Sequence, residues 1–400
     1  MSDILIGRQQ ILDSHQNIYA YEILFRGQDF DLSHKDEAAD ATNQVITDTL
    51  LEIGLNELVG PGKAFINFTA RNLLEKTPLS LPKDRIVIEV LENITIDQAI
   101  IDALKEFSRQ GYTIALDDFV LKPEWLPLLK IADIIKLDIK AMPLPKTLAL
   151  IEKLKRFSLT LLAEKVETHA EFEALKAAGC MLFQGFFFSK PHLVSGKRLS
   201  VNQAAAIRLL TKINQPEVGF DELGNIISHD VGLSYKLLRY INSAFFSLPN
   251  KIESIKHALT YLGMNEIKRW INILTLTSLS NKPNALFQQI LIRGKMCELL
   301  AKQYNEAPEH LFLIGLLSSL DSLLDIPLEE ALNQLPLTED VYQAILHHSG
   351  IGGEILSYVI CYERWELSSK HFSQISPKNI GQIYLQSISW ADDVLDNINC

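Results

Sequence analysis

The sequence predicts an α/β domain over its first half, an eight-stranded barrel of βα units, and an all-helical domain over its second. Three observations carry this. Apolar strand-type runs alternate with amphipathic helical stretches from the N-terminus to about Pro191, the pattern of parallel βα units. Eight such runs occur, the number that closes a barrel. From about Gly196 onward strand-type runs give way to helical periodicity. A doubly wound open sheet is the alternative for the first half; against it, no glycine-rich phosphate loop follows the first strand. The domains are drawn as residues 1–195 and 196–400.

In chain order the predicted strands are Ile4–Leu12, Ile18–Leu24, Ala64–Phe68, Ile86–Leu91, Tyr112–Leu116, Ile134–Leu137, Thr160–Ala163 and Met181–Gln184. Helices are predicted at Asp36–Ile53, Asp97–Arg109, Pro145–Arg156 and His169–Ala178, the last closed by Gly179 as a C-cap. The second half reads as helices at Ser200–Ile213, Phe220–His229, Gly232–Ser243, Ile255–Leu262, Asn265–Leu279, Ala285–Tyr304, Ala307–Leu324, Leu328–Leu335, Glu339–His347, Glu354–Tyr362 and roughly Pro377–Ile398. The 400 residues are about half apolar, enough for two full cores.

Charge and composition narrow the function. A net charge of −11 gives no general affinity for nucleic acid or anionic lipid. No apolar run reaches a membrane span of about 18–20 residues; the strongest, Leu311–Leu324, is interrupted by Ser318, Ser319 and Asp321. The N-terminal MSDILIGRQQ lacks the basic-then-apolar order of a signal peptide. Cys180, Cys297, Cys361 and Cys400 form no CxxC pair and read as buried or incidental thiols in a reducing cytoplasm.

The chemistry is concentrated at the strand ends. The run YTIAL leads directly into Asp117 and Asp118, two carboxylates that need a cation, a proton or a basic neighbour. Other strands deliver polar residues to the same kind of position: Glu22, Asn67, Glu89 with Glu92, Lys136 with Asp138, Glu164 with Glu167, and Gln184. In a parallel barrel the C-terminal strand ends build the site. One such acid alone is an ordinary exposed residue at a strand–loop junction; so many in register are not. A bowl of carboxylate and amide oxygens suits Mg²⁺, Mn²⁺ or Ca²⁺. Lys136 among them suits holding a water or a phosphate oxygen, and the general chemistry is metal-assisted displacement at phosphorus.

Taken in order, EILFR (Glu22–Arg26), Asn67, EVLE (Glu89–Glu92), DDF (Asp117–Phe119), KLD (Lys136–Asp138), AEKVE (Ala163–Glu167) and Gln184-Gly185 resemble the motif set of EAL domains, from about Ile4 to Pro191. That resemblance implies a TIM-like (β/α)8 barrel that hydrolyses cyclic di-GMP to linear pGpG with Mg²⁺ or Mn²⁺. It implies Glu22, Asn67, Glu89 and Asp117 as metal ligands and Asp118 and Asp138 as serving a second metal. Lys136 and Glu164 would hold or activate the nucleophilic water, Glu92 would brace the loop after the paired aspartates, and Arg26 and Gln184 would face the substrate.

Two departures bear on turnover. The family's glycine-rich loop after the aspartates, which helps order the second metal and the dimer contact, is DFVLKPEWL here, without glycine and stiffened by Pro123. The family's AEGVE is AEKVE. If the strand continues, Lys165 points away from Glu164 into the helix layer or solvent; if it has ended, the ammonium sits where a cation would bind.

In the second half, KLLRYINSAFF and IESIKHALTYLG resemble the core of HDOD domains, with Leu238, Arg239, Asn242, Ser243, Ala244, Ala258, Leu262 and Gly263 on the pattern. This implies a helical module that docks protein partners in bacterial signalling, with Ser318 or Ser319 where HD hydrolases carry their central His-Asp. Arg239 and Asn242 then brace the fold. His229-Asp230 reads as a helix boundary with Asp230 capping the next helix, and His347-His348 as a helix end. Three functions follow: a cyclic di-GMP sensor passing its state to a signalling partner, a slowed phosphodiesterase regulated by the helical domain, or a ligand-free scaffold. A homodimer is compatible with each.

Overall fold

The computed structural model describes residues 5–26, 54–190, 201–215, 217–243, 251–278, 282–366 and 377–399. The chain divides into two compact units, Met1–Lys190 with Trp365–Leu385, and Pro191–Arg364 with Gln386–Cys400. The predicted helix Asp36–Ile53 lies outside the described residues.

The first unit is a closed barrel of eight strands in sequence order: β1 Leu5–Asp13, β2 Ile18–Arg26, β3 Lys63–Phe68, β4 Ile86–Val90, β5 Thr113–Leu116, β6 Ile134–Asp138, β7 Thr160–Glu164 and β8 Leu182–Gln184. All eight predicted strands are present. From β2 to β8 neighbours pair in parallel, as the alternating pattern requires. β1 differs: it runs antiparallel to both β2 and β8. The cause is local. β1 and β2 are joined only by Ser14–Asn17, and Asp13 Oδ1 accepts the backbone N–H groups of His15 (2.8 Å) and Asn17 (2.9 Å). A connection this short reverses the chain, whereas a parallel return needs a crossover of a dozen residues or more.

Each strand places one residue in a common buried layer: Ile11, Ala20, Phe65, Val87, Ala115, Ile134, Leu162 and Leu182. This layer fills the barrel with apolar side chains, so the barrel is a packed core and not a pore. The surrounding helices start and stop where their caps dictate. Asp97 accepts the Ile100 N–H at 2.9 Å to open Gln98–Gln110, and Gly111 closes it at φ 90°. Thr168 and Glu171 form a reciprocal capping box on His169–Ala178, which Gly179 ends at φ 116°.

Among its described residues the second unit has helices joined by turns and no strand. Tyr240 and Trp270, both buried, pack with ring centroids 4.1 Å apart. The helix Asn284–Tyr304 crosses Pro308–Leu317 so closely that a Cβ on Gly315 would lie 2.8 Å from the Gly294 Cα. The predicted single helix Ala307–Leu324 is two, Pro308–Leu317 and Leu320–Leu324, broken at Ser318-Ser319. Ser318 Oγ bonds back to the Gly315 carbonyl at 2.7 Å, and the Arg293 guanidinium donates to both serine hydroxyls (3.0 and 2.6 Å). These competing bonds interrupt the helix ladder.

Candidate functional site at the barrel mouth

Side chains alternate along a strand, so the residue two positions beyond the apolar layer faces the same interior. Reading two places toward the mouth from each layer residue gives Glu22, Asn67, Glu89, Lys136, Glu164 and Gln184 on β2, β3, β4, β6, β7 and β8, and Asp117 just past the end of β5. On β1 the direction is reversed, so the same step gives Gln9, which is directly opposite Glu22 in the β1–β2 register. One end of the barrel is thus closed by a polar ring with one member from each strand.

Lys136 is the centre of that ring. Its side chain is 1% exposed, and its Nζ lies 2.6 Å from Glu89 Oε1, 2.8 Å from Asp117 Oδ1, 2.9 Å from Glu164 Oε1 and 3.3 Å from Glu22 Oε2. Burial favours loss of the lysine proton, but Glu164, Glu22, Glu89 and Asp117 outweigh it and hold the ammonium well above the ordinary lysine value. The carboxylates are not equivalent. Burial opposes ionisation of Glu22, yet Lys136 and hydrogen bonds from Gln184, Lys136 and Asn67 prevail and hold it below the ordinary range. For Glu89 burial, reinforced by Glu22, wins over Lys136 and drives its carboxyl well upward. Burial likewise pushes Glu164 up to about 8 against the pull of Lys136.

The amides fix this arrangement. Gln184 Nε2 donates to Glu22 Oε2 at 2.7 Å and to Gln9 Oε1 at 2.6 Å. Asn67 Nδ2 donates to Glu22 Oε1 at 3.3 Å. Gln9 was not singled out by sequence reasoning, which treated β1 as another parallel strand and looked for polar residues at C-terminal ends. Its signal is the IGRQQILD run, which interrupts an apolar strand with two amides.

A second group forms the rim. Oxygens of Glu92, Asp117 and Asp118 lie within 4.8 Å of one another. Asp118 adopts φ 41°, and burial with Asp117 raises its carboxyl. At the end of β6, Asp138 Oδ1 accepts the N–H groups of Lys140 (2.6 Å) and Ala141 (3.0 Å). Its Oδ2 pairs with Lys165 Nζ. β7 ends at Glu164 and Lys165 turns into the left-handed region at φ 55°, so the outward-pointing expectation for Lys165 does not hold. Past this turn the Val166 N–H bonds the Gln184 carbonyl at 3.0 Å. Gly185, at φ 140°, admits that approach because a Cβ there would sit 2.1 Å from Val166 O.

The loop after the paired aspartates is anchored without glycine. Pro123 opens a short 3₁₀ turn, and Trp125 buries its ring edge-on to Phe119 at 5.9 Å. Gln9, Glu22, Asp117, Asp118, Lys165 and Gln184 are among the residues around a cavity of about 200 Å³ at the mouth. The Arg26 backbone ends β2, and its side chain lies outside the described residues.

Whether this ring suits a divalent ion can be judged from its acceptors. Among the described residues, Asn67 Oδ1, Glu89 Oε2 and Asp118 Oδ1 are buried without a hydrogen-bond partner, while Glu89 Oε1 faces only the Lys136 ammonium at 2.6 Å. Unsatisfied buried oxygens are costly, and a hard cation is the partner they fit. The donor set therefore suits Mg²⁺ or Mn²⁺ chemically.

In the helical unit, His229 ends Phe220–His229 with its ring against the Asn225 carbonyl (2.7 Å), and Asp230 Oδ1 caps the next helix through the Leu233 N–H (2.9 Å). His348 is the left-handed C-cap of Glu339–His347. Asn242 braces the fold as expected, exchanging both amide groups with the Ile252 backbone at 2.7 Å. Arg239 is exposed, and its side chain makes no hydrogen bond with another described residue. Ser318 and Ser319 surround Arg293, whose guanidinium pairs with Glu363 at 2.6 Å.

A barrel carrying this polar ring, followed by a helical domain braced at Asn242, defines the class: the chain belongs to the EAL–HDOD family of two-domain proteins. The EAL domain model matches residues 43–191 and the HDOD domain model residues 200–375. The chain is 34% identical to the cyclic di-GMP phosphodiesterase CdgJ of Vibrio cholerae, over 97% of this chain and 92% of that one. It is also 34% identical to the uncharacterized protein YuxH of Bacillus subtilis, over 98% and 99% of the two chains. Among solved structures, it is similar to a standalone EAL protein of Vibrio cholerae O395 in its c-di-GMP-bound form: 25% identity, 47% of this chain, 92% of that one, TM-score 0.38. Among the described residues no helix is long and apolar enough to cross a membrane.

Proposed function

We propose that the barrel binds cyclic di-GMP through a divalent cation at its polar mouth, with slow or no hydrolysis, and that the helical domain passes the bound state to a signalling partner protein. The observation that carries this reading is the ring itself: eight strands each contribute one polar residue to a single end. Glu22, Asn67, Glu89 and Asp117 would hold the cation, with Asp118 and Asp138 beside them. Mg²⁺ or Mn²⁺, when bound, supplies a Lewis acid for a phosphodiester oxygen and acidifies a bound water. Lys136 keeps the carboxylates gathered and offers its ammonium to a phosphate oxygen. Gln184 and Gln9 orient Glu22. The anchored, glycine-free loop at Pro123–Trp125 favours binding over turnover.

Hydrolysis to pGpG is the second reading, and one observation favours it. Glu164, at about 8 and 2.9 Å from Lys136, is tuned to exchange a proton with water near neutral pH. The Vibrio cholerae relative named as a phosphodiesterase agrees with it.

Calorimetry with cyclic di-GMP and Mn²⁺, paired with chromatography of the products, decides between them. Binding without product supports the sensor. Release of pGpG that vanishes in Glu22→Ala and Glu164→Ala supports the hydrolase. If neither nucleotide nor divalent ion binds, both readings fall.

A further inference from the structure

We propose that the Lys165 ammonium occupies the second cation's place, so that this mouth takes one divalent ion where its donors would otherwise take two. The inference rests on the cation-dependent reading above. It begins from backbone geometry. Lys165 follows the last residue of β7 in the left-handed region at φ 55°, a conformation that residues with a Cβ enter rarely. Had β7 continued, its side chain would have pointed away from Glu164. With the left-handed turn, Lys165 instead lines the same cavity as Asp117, Asp118 and Glu164.

Asp138 shows what the ammonium does there. The Lys140 and Ala141 N–H groups converge on Oδ1 and leave Oδ2 to a different partner. Lys165 takes that oxygen. The positive field of Lys165 also reaches Asp118 and Glu164. The carboxylate expected to serve the second ion is therefore already neutralised by a side chain of the same molecule. An ammonium and a divalent ion repel, so the pair with Lys165 weakens Asp138 as a ligand for a second ion.

An ordinary exposed ion pair is the competing account, since the Lys165 side chain is 56% exposed. The two accounts differ in a countable quantity. Mn²⁺ bound by the full chain is titrated by the electron paramagnetic resonance signal of the free ion, for wild type, Lys165→Gly and Lys165→Met. Glycine suits the left-handed position, so the first variant relieves the backbone; methionine keeps the chain's length and removes only the charge. The expected result is one Mn²⁺ per chain in wild type and two in both variants, with the added ion lost again when Asp138→Asn is combined with Lys165→Gly. Two ions in wild type, or no gain in either variant, overturns the inference and leaves the cation-dependent reading standing. No Mn²⁺ in any of the proteins removes that reading as well.

Discussion

Lys136 Nζ lies 2.6 Å from Glu89 Oε1 with both side chains shut off from solvent, 1% and 0% exposed. One ammonium cannot offset the burial of the four carboxyls around it, so burial holds Glu89 well above the ordinary carboxyl range and Glu164 at about 8.

That balance sets a pH dependence. Glu164 rises from 4.5 to about 8 on folding, and Glu89 shifts in the same direction. Raised carboxyls stabilise the fold fully below their unfolded values, and the contribution is lost as pH rises through the folded ones. In chelator, the melting temperature should fall between pH 5.5 and 8.5, by roughly 2–8 °C for each kcal/mol lost, and Mn²⁺ should flatten the fall. A melting temperature that climbs over this range in chelator would contradict the raised carboxyl values.

Gln9 holds the amide that holds Glu22, through Gln184. Partners that orient a ligand without touching the ion typically contribute 10–100-fold to affinity. Gln9→Leu should therefore weaken Mn²⁺ binding roughly tenfold while leaving circular dichroism unchanged. An unaltered Mn²⁺ isotherm would remove Gln9 from the site.

Gly185 has no room for a side chain. Its φ of 140° and the 2.1 Å approach of a Cβ to Val166 O combine backbone strain with a hard clash. Gly185→Ala should cost more than about 2 kcal/mol in urea denaturation and shift Gln184 with it. Wild-type stability in this variant would mean that the turn after Lys165 is not as tight as described.

Asn242 and Arg239 share a motif but not a role. Asn242→Ala strands the Ile252 N–H and C=O and should cost about 1–3 kcal/mol, whereas Arg239→Ala should stay within about 0.5 kcal/mol. Denaturation midpoints that ranked the two variants the other way would overturn the assignment.

Much of this protein was legible as sequence. All eight strands, most helices and the break between the two characters of chain followed from apolar periodicity, because a strand buried in a barrel and an amphipathic helix leave different spacings. Glu22, Asn67, Glu89, Asp117, Lys136, Glu164 and Gln184 were marked by polar atoms at apolar strand ends. The direction of β1 was less visible, since a short turn such as DSHQN is local information that the broad βα rhythm obscures. The helix break at Ser318 was hidden because its cause, Arg293, comes from another helix.

The sequence by itself determined that acids and amides stand at the ends of buried strands, since the spacing of apolar residues is a property of the chain alone. Only the tertiary structure decided which way each end faces. Reversal of β1 brought Gln9 into the ring, and a left-handed turn after β7 swung Lys165 onto Asp138. The first depends on a four-residue turn that reverses the chain and the second on one residue's backbone rotation, which redirects its side chain.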